Sequence, residues 1–142
     1  MILPDINLLV YAYNVKAPGH RKAKEWWEDL LSEGRPVGLP WTVILGFVRL
    51  IASRSVLVDP LSAEAAIGHV RSWLDRPQVQ ILQPGPRHLD LLEGLMREAA
   101  PSGKLTMDSH LAALAIEHQA ELHSDGSDFS RFSGLRWRNP VA

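Results

Sequence analysis

Four aspartates have the clearest capacity for chemistry in this sequence of 142 residues. Asp5 ends a short apolar run, Asp108 opens an apolar segment with helical spacing, and Asp125 and Asp128 lie in one turn. Carboxylates brought together raise one another's pKa values unless a divalent cation neutralises them. Ligation by oxygen atoms alone favours Mg²⁺ or Mn²⁺ over zinc. The pattern therefore predicts a metal site for phosphodiester hydrolysis.

Three of these acids also have a simpler structural explanation. Asp108 is a good N-cap for the helix that follows it, and Asp125 and Asp128 are common turn residues. Asp5 is harder to explain in this way, because it follows an apolar run with no evident capping or turn role and no nearby cation. Since a buried carboxylate needs a partner or a metal, Asp5 favours the metal hypothesis.

Motifs for other chemistries are missing from the sequence. No G-x-G-x-x-G follows a predicted strand, no G-x-S-x-G occurs, and Gly103-Lys104 lacks the rest of a phosphate-binding loop. The segment from Asp125 to Asp128 is too short for a calcium-binding loop. The six histidines form no H-E-x-x-H pair, so we expect His110 and His118 to flank their helix rather than bind metal.

Composition indicates a globular protein without a global basic field. Apolar residues make up 46% of the chain, charged residues 22%, and the formal net charge is −1. Any nucleic-acid binding must therefore come from local patches. The absence of cysteine excludes disulfides and thiolate metal sites. No apolar run approaches the roughly 18–20 residues of a membrane span, and no signal peptide is visible, so we expect a cytoplasmic protein.

Hydrophobic periodicity predicts short strands that alternate with helices. The predicted strands lie at Met1–Ile6, Val37–Leu39, Val79–Leu82, Ala120–His123 and, as an edge strand, Gly134–Pro140. The predicted helices lie at Leu8–Tyr13, from His20 to about Leu31, at Trp41–Ala52, from Asp59 or Ser62 to about Leu74, and from Asp108 to about His118. A further helix is predicted after Pro84-Gly85-Pro86. Its apolar stripe consists of Leu89, Leu92, Leu95, Met96 and Ala99. Pro101–Lys104 is predicted to be a loop.

This alternation predicts one α/β domain over residues 1–142, with a short parallel β-sheet flanked by helices on both faces. Ligands of such sheets bind outside the carboxyl ends of the strands. Asp5 and the turn around Asp125 both follow predicted strands, and Asp108 lies at a helix N-terminus. We therefore expect the acids to meet at one edge of the sheet.

Several of these segments resemble one known family. Met1 to Asn7 resembles the opening strand of PIN-domain ribonucleases, and Asp108 to Ile116 resembles their third acidic motif. Ser124 to Phe132, with Gly134 to Pro140, resembles the C-terminal signature of VapC toxins from bacterial toxin–antitoxin pairs. The resemblance implies a Mg²⁺- or Mn²⁺-dependent endoribonuclease, usually a homodimer. It also implies a VapB-type antitoxin that inhibits the toxin by inserting a peptide arm into the active-site groove.

The resemblance assigns Asp5 and Asp108 as the metal-binding acids and Asn7 as a polar neighbour of the first. The family usually has a glutamate where this chain has Gly46, which we expect to face the same pocket with the space beside it unfilled. Loss of that acid weakens the site, although related toxins of this subtype lack it too.

The last acidic motif departs from the family as well. With Asp128-Phe129 aligned, the fourth acid of the family falls at Gly126, and Asp125 stands one position early. A small backbone shift at Gly126 would let Asp125 serve, because glycine tolerates unusual dihedral angles. Alternatively Asp128 supplies the charge, or only Asp5 and Asp108 remain and metal affinity is low.

The hypothesis from these residues is metal-assisted hydrolysis of RNA. Asp5 and Asp108 hold the ion, and Asp125 or Asp128 helps to position the ion or the attacking water. Side chains expected to hydrogen-bond near the ion, or to contact phosphate and bases, are Asn7, Ser124, Arg131, Arg136, Arg138 and Trp137. The alternative for the arginines is a solvated tail, and Trp26 and Trp27 are expected in the core or at a dimer surface.

Two other functions are consistent with the sequence. One is a catalytically weakened PIN domain that acts mainly by binding an antitoxin or RNA, which the glycine at position 46 and the displaced Asp125 favour. The other is a small phosphatase-like α/β hydrolase. Mg²⁺-dependent RNA cleavage separates the first from an active ribonuclease, and hydrolysis of a phosphomonoester would identify the second.

Overall fold

Short strands alternate with helices throughout the computed structural model, which describes residues 1–99 and 102–142. The strands are β1 (Ile2–Pro4), β2 (Val37–Pro40), β3 (Val79–Leu82), β4 (Glu121–His123) and β5 (Trp137–Arg138). The α-helices are α1 (Ile6–Tyr13), α2 (His20–Glu33), α3 (Trp41–Ile51), α4 (Ala63–Leu74), α5 (His88–Ala99) and α6 (Thr106–Glu117). A 3₁₀ helix spans Ser127–Arg131. Among the described residues, every helix is too short or too polar to span a lipid bilayer.

The strands form one sheet in the order β3-β2-β1-β4-β5, and every neighbouring pair is parallel. The predicted parallel α/β architecture is confirmed, with β5 at an edge. Successive side chains of a strand point to opposite faces, and Ile2 and Leu3 of the central strand are both fully buried. Both faces of the sheet are therefore covered at its centre.

The register of β1 and β4 sets the position of the site. Leu3 lies opposite Leu122, and Pro4 lies opposite His123. The next residues, Asp5 and Ser124, therefore emerge side by side at the carboxyl edge of the sheet. The Asp5 backbone N–H donates to the His123 carbonyl at 2.9 Å, which continues the pairing to the residue that carries the acid.

An aromatic cluster packs α1 to α4 together. Trp73 of α4 makes edge contacts with Phe47 and Trp27, with ring centroids 4.8 and 5.2 Å apart. The Trp73 indole donates to the Tyr13 hydroxyl at 2.9 Å, so the end of α1 is fixed to α4. Trp27 lies in the core as expected, whereas Trp26 is half-buried and its indole donates to His123 Nδ1 at 2.9 Å.

Two details of the predicted elements are wrong. Leu89 does not belong to the buried stripe of α5: it is 74% exposed, and His88 is buried instead. The stripe is rotated because His88 contacts His110 of α6, with His88 Nε2 and His110 Nδ1 2.9 Å apart. Asp108 is not an N-cap, since Leu105 takes that position and Asp108 is the third residue of α6. Pro101 of the predicted loop lies outside the described residues.

Candidate metal centre

Asp5 lies between β1 and α1 and is half-buried, with both carboxylate oxygens hydrogen-bonded. Oδ1 accepts from the Ile6 N–H at 2.7 Å, and Oδ2 accepts from the Ser124 hydroxyl at 2.7 Å. Asp5 is thus the N-cap of α1, and the expectation that it has no capping role is wrong. The helix starts directly after the strand, so no turn signal separates them. Burial raises the pKa of Asp5, although the two hydrogen bonds lower it, and the charge of Asp125 raises it further.

Ser124 is fully buried at the end of β4 and links Asp5 to the following turn. Its hydroxyl donates to Asp5 Oδ2 and accepts from the Gly126 N–H at 3.0 Å. The Ser124 carbonyl accepts from the Trp137 indole at 3.0 Å, so the edge strand holds it in place. Ser124 therefore fixes the orientation of Asp5. The Trp137 indole N–H in turn holds the backbone of Ser124.

Asn7 in the first turn of α1 connects the same cluster to Asp125. Its Oδ1 accepts from the Leu8 N–H at 2.7 Å, which leaves the amide N–H₂ group directed at the turn after β4. That group donates a short hydrogen bond to Asp125 Oδ1 and lies 3.5 Å from Ser124 Oγ. Asp125 is therefore joined to Asp5 through Asn7 and Ser124.

Asp108 reaches the cluster from the first turn of α6 and is half-buried. Burial raises the pKa of Asp108, and the charges of Asp5 and then Asp128 raise it further. Within the described ranges, its carboxylate makes no hydrogen bond or ion pair with another side chain or with the backbone. Asp108 is thus an acid near other acids without a compensating charge from the described part of the protein.

Asp128 lies farther out on the 3₁₀ helix and is paired with a cation. Its Oδ1 is 3.5 Å from Arg131 Nε, and both side chains are about half exposed or more. Its charge still reaches Asp108, but an exposed pair of this kind contributes little to stability. Of the two acids left open by the sequence, Asp125 is bonded to the Asp5 cluster and Asp128 lies at its rim.

The donor set fits a hard divalent cation in composition. It consists of carboxylate oxygens, since the Asn7 amide oxygen accepts from the Leu8 N–H and the Ser124 hydroxyl donates to Asp5, and Mg²⁺ is commonly bound by one or two carboxylates together with waters and substrate phosphates. Asp5 and Asp108 provide two like charges that a cation would compensate. No group of three histidine, aspartate or glutamate side chains among residues 1–99 and 102–142 is placed to hold an ion. The geometry therefore supports a site of two carboxylates rather than a closed protein cage.

The space beside Gly46 is occupied, and the expectation that it is unfilled is wrong. Gly46 is buried in α3, and a Cβ atom at this position would lie 2.5 Å from Cδ1 of Ile6 and 3.1 Å from its Cγ1. Ile6 directly follows Asp5, so its side chain fills the volume between α1 and α3 next to the acid. A side chain at position 46 would have to displace it.

The arginines near the C-terminus do not converge on the acids. Arg136 precedes β5 and donates to the Gln119 carbonyl, which precedes β4, so it lies at the opposite edge of the sheet. The charge of Arg138 acts on Glu121 and His123 of β4. Arg131, on the 3₁₀ helix, is the one predicted arginine beside the candidate centre. The strand direction therefore separates Arg136 from the acids, whereas Arg138 lies at the same edge of the sheet as Ser124 and its charge acts on β4.

Two polar features were not recognised from the sequence. One is Tyr11 of α1: burial raises its pKa, and the interaction with Asp125 and the charge of Asp5 raise it further. The four-residue spacing from Asn7 could have identified it, since such residues share a helix face. The second feature joins α5 and α6: Glu117 accepts from the N–H groups of Gly85 and Arg87 at 2.8 and 2.9 Å. Glu117 thus fixes the segment before α5 to the end of α6, which is a structural role.

Of the two histidines expected to flank α6, His118 directly follows it, whereas His110 lies within the helix. His110 contacts His88 of α5, and His118 Nε2 lies 2.9 Å from the Gln83 carbonyl. Burial lowers the pKa of His110, and the neighbouring His88 lowers it further. Neither histidine is joined to the four aspartates by a hydrogen bond in the described residues.

Comparison with known proteins gives consistent matches over nearly the whole chain. The model of the PIN domain family matches residues 2–135. Ribonuclease VapC33 of Mycobacterium tuberculosis is 45% identical over 141 residues, which cover 99% of each chain. Ribonuclease VapC37 of the same species is 39% identical over 142 residues, covering 100% of this chain and 99% of the relative. The structure of VapBC2 from Rickettsia felis, bound to a fragment of promoter DNA, contains a chain with the same fold. The TM-score is 0.68 at 19% sequence identity, and the match covers 98% of each chain.

Proposed function

The chain belongs to the PIN-domain family, and we propose that it is the endoribonuclease toxin of a VapBC-type toxin–antitoxin pair. Its substrate is RNA, its partner is a VapB-type antitoxin, and it acts in the cytoplasm as a homodimer. The observation that carries the proposal is the position of Asp5 at the carboxyl edge of a parallel sheet, with Asp125 linked to it through Asn7 and Ser124 and with Asp108 close enough for the two charges to interact. This edge is where such sheets bind their ligands.

VapC ribonucleases of the PIN family generally depend on a divalent metal, and we propose Mg²⁺ or Mn²⁺ for this chain. Asp5 and Asp108 would hold the ion, which when bound polarises the phosphodiester and lowers the pKa of a water. Asp125 lies beside Asp5 and would orient the attacking water or the ion. Ser124 and Asn7 keep Asp5 and Asp125 oriented through their hydrogen bonds.

Arg131 is the cation best placed to contact the RNA backbone. It is exposed on the 3₁₀ helix and pairs with Asp128 at the rim of the acid cluster. A phosphate group could replace that carboxylate as its partner at little cost, because exposed ion pairs contribute weakly. Asp128 would then take part indirectly: it would pair with Arg131 when RNA is absent, and its negative charge would act on Asp108.

The proposal is tested by cleavage of a structured RNA in the presence of Mg²⁺. Asp108→Asn should lower the cleavage rate on the order of 100-fold or more, because even groups that merely orient metal ligands contribute 10- to 100-fold. The matched control is Asp75→Asn, since Asp75 is exposed after α4, at the amino edge of β3. Equal cleavage by the wild type and Asp108→Asn would rule out the site as placed.

A second candidate function is binding of the antitoxin or of RNA with little or no cleavage. The packing of Ile6 against Gly46 favours it, because the helix next to Asp5 offers no additional carboxylate there. Under this alternative the wild type retains RNA in a mobility-shift assay but cleaves no faster than Asp108→Asn. The two assays on the same preparations therefore decide between the candidates.

A further inference from the structure

We propose that Trp137 of β5 is a positioning residue of the metal centre: its indole N–H holds the carbonyl of Ser124, and the Ser124 hydroxyl orients Asp5. The inference rests on the proposed function, because it takes Asp5 as a ligand of the cation. It gives the edge strand β5, which carries none of the four aspartates, a part in the site.

The hydrogen bonds between β4 and β5 stop at the Ser124 carbonyl. The Leu122 N–H donates to the Arg136 carbonyl at 2.9 Å, and the Ser124 N–H donates to the Arg138 carbonyl at 3.1 Å. In a parallel ladder, the carbonyl of such a residue accepts from the N–H two positions beyond the residue to which it donates. For Ser124 that position is Pro140, which has no N–H. The ladder therefore provides no donor for this carbonyl.

The Trp137 indole supplies the donor that the ladder lacks. Its Nε1 lies 3.0 Å from the Ser124 carbonyl oxygen. Ser124 is fully buried, and a buried carbonyl without a hydrogen bond costs free energy comparable to a lost hydrogen bond. The indole thus takes the place of the N–H that proline removes, three residues before that proline in the chain.

Ser124 transmits this restraint to Asp5. Both its N–H and its carbonyl are held by β5, one by the Arg138 carbonyl and the other by the Trp137 indole. Its hydroxyl donates to Asp5 Oδ2 at 2.7 Å. Because rotation of the Ser124 backbone would move the hydroxyl away from Asp5, the indole contact helps to set the direction of the carboxylate. Hydrogen-bonded partners of this kind commonly orient the ligands of a metal.

The test measures Mn²⁺ binding by the loss of the free-ion signal in electron paramagnetic resonance, which requires no turnover. Trp137→Phe removes the indole N–H and keeps an aromatic ring. It should weaken Mn²⁺ binding about three- to tenfold, less than the 10- to 100-fold typical of residues that touch a ligand directly. Unchanged Mn²⁺ binding by this variant would overturn the proposal.

Trp26→Phe is the matched control for the loss of an indole hydrogen bond. The Trp26 indole donates to His123 Nδ1 at 2.9 Å, so it holds a side chain of β4 rather than the Ser124 backbone. This variant should leave Mn²⁺ binding unchanged. Equal weakening by Trp26→Phe and Trp137→Phe would overturn the proposal, because it would show a general effect of disturbing β4.

A second background separates positioning from loss of stability. Ser124→Ala removes the hydroxyl that contacts Asp5 but keeps the carbonyl that Trp137 holds. In this background Trp137→Phe should still lower the urea midpoint of unfolding, but it should no longer change Mn²⁺ binding. The same fold loss of Mn²⁺ binding with and without the Ser124 hydroxyl would overturn the proposal.

Asp108→Asn in the same titration keeps this inference apart from the proposed function. If Asp108→Asn binds Mn²⁺ as tightly as the wild type, the cation lies elsewhere and both proposals fail. If Asp108→Asn weakens Mn²⁺ binding while Trp137→Phe does not, the metal centre stands and only the role of Trp137 is defeated.

Discussion

At the scale of single residues, the acids form a site that is arranged at the expense of stability. Burial raises the pKa values of Asp5 and Asp108, and the charges of neighbouring aspartates raise them further. Their ionised forms are therefore less stable in the folded protein than in the unfolded chain. Such sites commonly lower stability in favour of function.

The metal-free protein should become more stable when Asp108 is replaced by asparagine. At pH 7 in a chelator, Asp108→Asn should raise the free energy of unfolding by roughly 0.5–1 kcal/mol, a small value because the side chain is only half-buried. The pKa of Asp108 in the folded protein lies above 3.8, the ordinary value for an aspartate. The wild type therefore loses stability as pH rises through that folded pKa, and the advantage of the variant should shrink as pH falls toward 3.8.

Urea unfolding of both proteins between pH 4 and 7 would check this, with Asp75→Asn as the exposed control. A variant that is less stable than the wild type at neutral pH would contradict the assignment of Asp108 to a like-charged cluster. An advantage that does not change with pH would contradict it as well.

At the scale of elements, the packing of α1 on α3 determines which side chain fills the volume next to Asp5. Ile6 occupies the volume beside Gly46 and lies one residue after the acid. The helix interior would otherwise favour alanine over glycine by roughly 0.5–1 kcal/mol. Glycine at position 46 thus leaves room for the Ile6 side chain, although it lowers the helix propensity of α3.

This packing predicts a coupled pair of substitutions. Gly46→Ala should destabilise the wild type by roughly 1 kcal/mol, because the new Cβ would lie 2.5 Å from Ile6 Cδ1. In the Ile6→Val background that methyl group is absent, so the same substitution should cost less or become stabilising. Equilibrium unfolding in urea of the four proteins measures the coupling.

Gly68→Ala in α4 is the control for helix propensity alone, since nothing lies within 4 Å of a Cβ added there. It should stabilise the protein by roughly 0.5–1 kcal/mol in both backgrounds. Additive effects of Gly46→Ala and Ile6→Val would show that the two positions do not compete for one space.

At the scale of the whole molecule, the fold assembles residues distant in the chain at one edge of a parallel sheet. The strand and helix order could be predicted from hydrophobic periodicity, because glycine, proline or charged residues separate most of the short apolar runs. The convergence of Asp5 with the turn after β4 also followed, since parallel strands end at a common edge.

What could not be predicted depends on contacts between elements. The capping role of Asp5 was missed because α1 begins without any turn after β1. The choice between Asp125 and Asp128 depends on the path of the turn, and the Asn7 contact that distinguishes them joins residues 118 positions apart. The exposure of Leu89 and the filled space at Gly46 likewise depend on side chains from a neighbouring helix.

Metal binding should stabilise the entire domain through linkage. Mn²⁺ at 100 times its dissociation constant should raise the free energy of unfolding by about 2.7 kcal/mol. Asp108→Asn should abolish most of this increase, because one of the two charges that hold the ion is removed. Thermal unfolding at increasing Mn²⁺ concentration would measure it, and an equal increase in both proteins would place the ion elsewhere.

The central claim is that Asp5 and Asp108 hold a divalent cation at the carboxyl edge of the sheet. A crystal soaked in Mn²⁺ tests this most directly through the anomalous signal of the ion. We predict one strong peak with carboxylate oxygens of both residues at roughly 2.1 Å, the distance expected for a small divalent cation. A peak at another group of residues, or no peak at this edge under conditions that support RNA cleavage, would contradict the account.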